Sequence, residues 1–396
     1  MQLAFWKKKK DPNKKKKPVW REWFDAALFA IVAATIIRTF FIEAYTIPTG
    51  SMEGSMLIND FLFVSKTAYG PRIPNTPLAF PLVHNTMPLT GGKSYSEAVH
   101  WNYKRLPGFG SVKRNDVVVF NFPDGDTVVA ERPNEDYYDI CLAEGGSAAV
   151  KSTYTIITRP VDKKENYIKR CVAIPGDKVQ IVNGQLYLND KPAEVFPHSQ
   201  MHYIVTTKGL GLSSDFLDEN GISLREAAGN KYRLNIPFDK VDLVRGNASV
   251  VSVEPDVAAP SAYELNIFPK DVEHFKWNRD NFGPIVIPAK GATVTLTPEN
   301  IALYRRVIFN YEGNAFEDRG GKFFINGKET NTYTFKMDYY WMMGDNRHES
   351  ADSRYFGFVP EDHIVGKASF VWLSYEGSLL HLRWKRLLRS VSSLSK

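Results

Sequence analysis

Two patterns of apolar and polar positions divide this chain. Near the start, Trp23 to Ile42 is a 20-residue stretch whose only charges, Asp25 and Arg38, lie near its ends around an uninterrupted core, Ala26 to Ile37. Roughly 20 largely apolar residues are enough for a helix to cross a bilayer, and charges near the ends can reach the headgroups. The pattern predicts one transmembrane helix over 22–42. A cleavable leader also places an apolar core behind a basic region, but no Ala-x-Ala site follows; Ile42-Glu43-Ala44 is a poor substitute. The reading is a retained anchor. Past Glu43 the pattern changes to short β-rich runs broken by Gly, Pro, Asn and Asp, as in Asp60 to Ser65, Asp116 to Phe122 and Tyr167 to Ile174. Asn183-Gly184 sits between two apolar runs in Val179 to Leu188, and Asn326-Gly327 lies within Lys322 to Glu329. Such dipeptides mark two-residue hairpin turns. No long amphipathic helical pattern competes, so the class is mainly β. Leu379 to Val391, with Arg383, Lys385, Arg386 and Arg389 among apolar residues, is open to three readings: a surface helix, a last strand or a basic tail.

Charge changes the picture once its position is considered. The net charge of +6 arises in residues 1–17, where eight Lys and one Asp give +7; the remaining 42 basic and 43 acidic side chains nearly cancel. A nucleic-acid binder carries its basic face on the folded domain, so that class is excluded. The Lys-rich tail over 1–21 instead suits a cytoplasmic flank on anionic lipid, which puts everything after the helix outside the cytoplasm. Cys141 and Cys171 are the only cysteines, so neither a disulfide scaffold nor a four-cysteine metal site is possible. Whether the two pair is left open. No recognisable metal-ligand spacing occurs, and no cofactor is expected.

Three segments carry candidate chemistry. In Tyr45-Thr46-Ile47-Pro48-Thr49-Gly50-Ser51-Met52, Ser51 follows a Pro-Thr-Gly turn that can present its hydroxyl beside exposed backbone N–H groups. In Tyr167-Ile168-Lys169-Arg170-Cys171, the two-residue period puts Lys169 on one strand face with Tyr167 and Cys171. A Lys buried there, without a nearby carboxylate, loses basicity. It becomes a usable base near neutral pH if its pKa falls by roughly 3 units. In Gly344 to Gly357, polar residues cluster between β-like runs; Asp352 and Arg354 can pair, and Ser350 can hydrogen-bond a neighbouring amine. His348 lies there too, but no Ser or Cys motif accompanies it for a Ser-His-Asp arrangement. Each segment alone also reads as an ordinary turn or an exposed strand.

Together they resemble the type I signal peptidases, the Ser–Lys bacterial leader peptidases. Ile47-Pro48-Thr49-Gly50-Ser51-Met52 is similar to the family's nucleophile box, Arg114 to Phe120 to the following strand box, and Tyr167 to Arg170 with Pro175-Gly176-Asp177 to its base box. Gly344-Asp345-Asn346-Arg347 with Ser350 to Arg354 is similar to the last box. The order of the boxes and the anchor ahead of them are the family's. Gly54 stands near a usual Pro and Asn59 at a usual Gly, and the stretch Pro71 to Lys113 is longer than expected. The resemblance implies a β-sheet catalytic domain in two parts, 43–180 and 337–396, around a second β-rich domain inserted over 181–336. It implies Ser51 as nucleophile and Lys169 as general base, with the Ser51 N–H and Thr49 hydroxyl binding the oxyanion. Ser350 would orient Lys169, and Asp352, Arg354, Asp345 and Arg170 would support the site. Substrate, the signal peptide of an exported preprotein, would add as a strand between Glu43–Pro48 and Glu165–Ile168. Tyr45, Ile47, Pro48, Met52, Met56, Tyr167 and Ile168 would line pockets selecting Ala-x-Ala. The expected place is the outer face of the cytoplasmic membrane, with phospholipid as the other partner; oligomeric state stays open. The rivals are a membrane-tethered β domain that binds without catalysis, and a Ser–Lys self-cleaving regulator, which usually carries a DNA-binding module absent here.

Overall fold

A computed structural model describes residues 18–395 apart from 133, 134, 136 and 210. Most of the Lys-rich tail thus lies outside the described residues. The apolar run forms a helix, α1 (Val19–Phe40), none of whose residues is buried against the rest of the chain. Its 22 residues extend about 33 Å, a bilayer's apolar thickness. One residue later the chain is a strand.

The strands that matter for the site are, in chain order, β1 (Ile42–Thr46), β2 (Asp60–Ser65), β3 (Val117–Asn121), β4 (Asn166–Ala173), β5 (Lys178–Val182) and β6 (Gln185–Leu188). There follow β7 (Gln200–Thr207), β8 (Ser223–Ala228), β9 (Lys231–Pro237), β10 (Val250–Pro255), β11 (Phe282–Val286), β12 (Tyr339–Met343) and the long β13 (Ile364–Glu376). One antiparallel sheet runs β1-β2-β13-β3-β4-β12. Among the described residues, two stretches of edge that border the site have no partner strand. β1 pairs only with β2, and β12 covers only Arg170 to Ala173 of β4, leaving Asn166 to Lys169 open on that side. Both free edges border one core cluster that contains Ile47, Met52, Met56, Leu62, Val64 and Val119, with Tyr45 and Ile168 packed against it.

The predicted hairpins form as their turn residues require. β5 and β6 pair with Val182 opposite Gln185, and Asn183 and Gly184 take positive φ of 48° and 80°. Phe323–Ile325 and Lys328–Glu329 do the same around Asn326 and Gly327. Of the three readings of the chain's end, the strand is observed: Ser378–Leu382 folds back on β13. Cys141 and Cys171 are both free thiols.

Residues 181–336 contain two packing units. A four-stranded sheet, β8-β9-β7-β10, has its own core around Met201, Tyr203, Val205, Leu234 and Ile236. The later part, including Phe282, Ile285, Leu303, Phe323 and Phe335, shares one apolar cluster with Ala173, Tyr339, Trp341 and Phe358. Position 181 falls inside the β5–β6 hairpin. The stretch 71–113 has little regular structure and is tied down by arginines: Arg105 donates to the Gly70, Glu361 and Ile364 carbonyls, and Arg72 to Asn121 Oδ1 at 2.6 Å.

Candidate active site

Ser51 sits in a single 3-10 turn, Gly50–Met52, which Ile47, Pro48 and Thr49 connect to the end of β1. Pro48 and Thr49 are exposed and Ser51 is half-buried, while Met52 is anchored at 0% exposure in the core. The turn therefore has a fixed base and an accessible hydroxyl. Lys169 comes from the open half of β4 and is 4% exposed. Its Nζ donates to Ser51 Oγ at 2.7 Å and to the Ile168 carbonyl at 3.0 Å. Among the described residues no carboxylate lies within ion-pair range of Nζ; the ring of Tyr167 is 5.5 Å away. Burial pulls the Lys169 ammonium down to about 8, while the more distant Asp352 and Asp345 act in the opposite direction. A substantial part is thus neutral near pH 7.5, and a neutral amine can accept the Ser51 proton. Thr49 Oγ1 lies 3.5 Å from Ser51 Oγ, on the exposed side of the turn.

The loop after β12 closes the site from behind. Gly344 approaches so closely that a Cβ there would lie 2.4 Å from the Ser51 carbonyl oxygen. Asp352 and Arg354, both buried, join through Nε–Oδ1 and Nη2–Oδ2 contacts of 2.9 Å each, and Asp352 Oδ2 also accepts from Gly344 N–H at 3.1 Å. Asp345 and Arg170 form a second buried pair, at 2.8 and 2.6 Å. Arg170 follows Lys169 directly, so this pair ties the loop to the strand that carries the amine. Burial would raise the Asp352 carboxyl, but Arg354 outweighs it and holds it below its usual range.

The other expected residues divide. Tyr45, Tyr167 and Ile168 are half-buried beside the free edges, and Tyr167 stacks on Phe122 at 4.4 Å. Ile47, Met52 and Met56 are sealed in the core at 2%, 0% and 0% exposure. Among the described residues the expected hydrogen bond from Ser350 to Lys169 does not form: Ser350 Oγ is buried without a partner, and Lys169 Nζ donates to Ser51 Oγ and the Ile168 carbonyl instead. The reason is geometric, since Ser350 Oγ is turned to the Gly344 backbone, 2.2 Å from where a Cβ would stand. His348 is held away from a triad role. Its Nδ1 accepts from the His202 N–H, so Nε2 carries the proton, which goes to Asp280 at 2.8 Å.

Two participants were not singled out from the sequence. Asn346 donates its N–H to the Ser51 carbonyl at 3.2 Å and its side-chain NH2 to the Gly50 carbonyl at 3.1 Å. Its place in Gly344-Asp345-Asn346-Arg347 was the available signal. Glu43 accepts from Arg38 at 2.6 Å, Tyr45 at 2.8 Å and Lys66 at 2.8 Å, joining α1 to the sheet. The departures also find a cause. Asn59 has φ 66°, which Asn tolerates better than most residues, and a Cβ on Gly54 would collide with the His198 carbonyl at 1.8 Å.

Known proteins resemble this chain over most of its length. A family model described as "Signal peptidase, peptidase S26" matches residues 20–229 and 310–373. Signal peptidase I of Rickettsia felis is 25% identical over 367 residues, covering 92% of this chain and 83% of that protein. The Rickettsia akari protein of the same name is 26% identical over 355 residues, 89% of this chain and 79% of its own. Signal peptidase I of Buchnera aphidicola from Acyrthosiphon pisum is 22% identical over 352 residues, 89% and 74% of the two chains.

Proposed function

The chain belongs to the signal peptidase family of S26 peptidases, and from that premise we propose that Ser51 and Lys169 are the catalytic pair with which it cleaves signal peptides. It is a serine endopeptidase. The observation that carries the dyad is the 2.7 Å contact between Lys169 Nζ and Ser51 Oγ, at a lysine that is buried with no ion-pair partner among the described residues.

Neutral Lys169 takes the Ser51 proton as Oγ attacks the scissile carbonyl carbon. The oxyanion is met by the Ser51 N–H and the Thr49 hydroxyl, each worth about 3 kcal/mol in the transition state. Collapse breaks the C–N bond, and the Lys169 ammonium returns the proton to the departing amine. A water then hydrolyses the ester with Lys169 again as base. Substrate adds as a strand between the free edges of β1 and β4, where backbone pairing supplies affinity and alternate side chains supply specificity for small residues. Tyr45, Tyr167 and Ile168 border that groove, and the buried Ile47, Met52 and Met56 support it from the core behind. In this reading α1 anchors the enzyme with its N-terminus in the cytoplasm and the sheet at the outer face. Ser51 follows the helix by eleven residues and so stays near the lipid. Residues 43–180 and 337–396 form the catalytic unit, and 181–336 the insertion.

The test is cleavage of a signal-peptide-bearing substrate by the full-length protein in detergent, beside Ser51→Ala and Lys169→Ala. Both variants are expected to stay folded and to lose nearly all activity, with the wild type cutting after a small residue. An active Lys169→Ala would overturn the base assignment. A folded wild type that cuts nothing would favour the tethered binding domain.

A further inference from the structure

The insertion touches the catalytic loop at one chemically telling point. Asn235, on β9, and Asn346, in the loop, are both 0% exposed, and Asn235 Nδ2 donates to Asn346 Oδ1 at 3.1 Å. That contact sets which way the Asn346 amide faces. With Oδ1 toward Asn235, its Nδ2 is left to donate to the Gly50 carbonyl at 3.1 Å and to Glu349 Oε2 at 3.2 Å. Glu349 is held in turn by Arg225 of β8, through Nη2 at 2.7 Å. The loop backbone is fixed by the same sheet: Gln200 N–H donates to the Asp345 carbonyl at 2.9 Å and Arg347 N–H to the Gln200 carbonyl at 2.8 Å.

The Gly50 carbonyl and the Ser51 N–H are two ends of one planar peptide unit and point in opposite directions. A donor held on the carbonyl therefore sets where the N–H aims, and polarises it. The next carbonyl, that of Ser51, is held by Asn346 N–H. We infer that Asn235 is a positioning residue: through the Asn346 amide it aims the Ser51 N–H at the developing oxyanion. The inference rests on the Ser51–Lys169 reading above, in which that N–H is an oxyanion donor.

Packing alone does not account for an amide at 235. Its Oδ1 is buried without a partner, a cost that a leucine of similar shape would not carry. Nor does Asn235 fall within the residues matched by the family model, which stop at 229 and resume at 310. The relay thus begins on the β8-β9-β7-β10 sheet and ends at the reacting serine.

The experiment compares full-length wild type with Asn235→Leu, Asn235→Asp, Asn346→Asp and the double variant Asn235→Leu/Asn346→Asp, with Ser51→Ala as control. The expected result is kcat lowered about 10- to 100-fold for each single variant, below the loss from deleting a donor outright. KM and the pH at which kcat/KM levels off should stay where they are, because neither the substrate edges nor Lys169 is touched. Affinity for a peptide aldehyde that forms a tetrahedral adduct on Ser51 should fall in step with kcat. The double variant should be no slower than the worse single one, since both break one chain. If Asn235→Leu does not fold, the isosteric Asn235→Asp decides. Wild-type kcat in a folded Asn235 variant, or a loss that follows only the unfolded fraction, would overturn the relay while an inactive Ser51→Ala leaves the dyad standing. An active Ser51→Ala would overturn both.

Discussion

Lys169 shows how much of the chemistry depends on one side chain's surroundings. Its amine is held at about 8 against a usual 10.5, chiefly by burial. At pH 7 the charged form therefore costs the folded state about 3 kcal/mol relative to the unfolded chain. Between pH 8 and 10.5 the unfolded chain holds the proton that the folded one has lost, so stability rises with pH across that window. Activity follows the same ionisation in the same sense: kcat/KM is expected to climb about tenfold per pH unit below 8 and level off above it. A profile flat from pH 6 to 9 would remove Lys169 as base. Lys169→Met deletes the buried charge, so it is expected to abolish cleavage while raising the melting temperature at pH 7, the usual opposition of stability and activity at a functional site. A lower melting temperature would mean that the ammonium is stabilised by partners other than those described. Spacing on the strand put Lys169 on a face with Tyr167 and Cys171 but left buried and exposed readings open; the fold buries it at 4% exposure. That no carboxylate reaches ion-pair range of Nζ depends on the fold, because Asp345 and Asp352, which act on the amine from further off, come from a loop distant in the chain.

At the scale of elements, the loop after β12 is the part that makes Ser51 and Lys169 a pair. It is held by Asp352–Arg354 within itself and by Asp345–Arg170 across to β4. Removing one partner of a buried pair strands the other charge in a dry site, which costs about 3–5 kcal/mol. Asp345→Ala is accordingly expected to lower stability by that amount in chemical denaturation and to impair cleavage. An unchanged midpoint would show that Arg170 reaches water. The Asp352–Arg354 pair was legible from a two-residue spacing. The Asp345–Arg170 pair was not, because its partners are 175 positions apart and meet only when β12 docks on β4. Ser350 illustrates the converse: the sequence placed it in the right loop, but the closeness of the Gly344 backbone decided where its hydroxyl turned.

At the scale of the whole molecule, the helix and the sheet meet at the C-terminal end of α1. None of the α1 residues is buried, and the connection runs through Glu43 with Arg38 and Lys66. Burial would raise the Glu43 carboxyl, but Lys66 and then Arg38 prevail and hold it at about 2. A chain beginning at Phe41 is thus expected to fold with a similar melting temperature and to cut a short soluble peptide, while cleaving a membrane-inserted precursor far more slowly. Unfolding of that shortened chain would make α1 part of the core. The sequence alone determined the local features: an apolar helix of bilayer length, strands and hairpins set by alternation and by Asn-Gly turns, and which residue types were available for chemistry. These depend on neighbours a few positions away. Tertiary structure decided the rest, because it depends on groups distant in the chain: which strand edges stay unpaired, that Lys169 meets Ser51 across 118 positions, and that Asn235 reaches the nucleophile's peptide through Asn346.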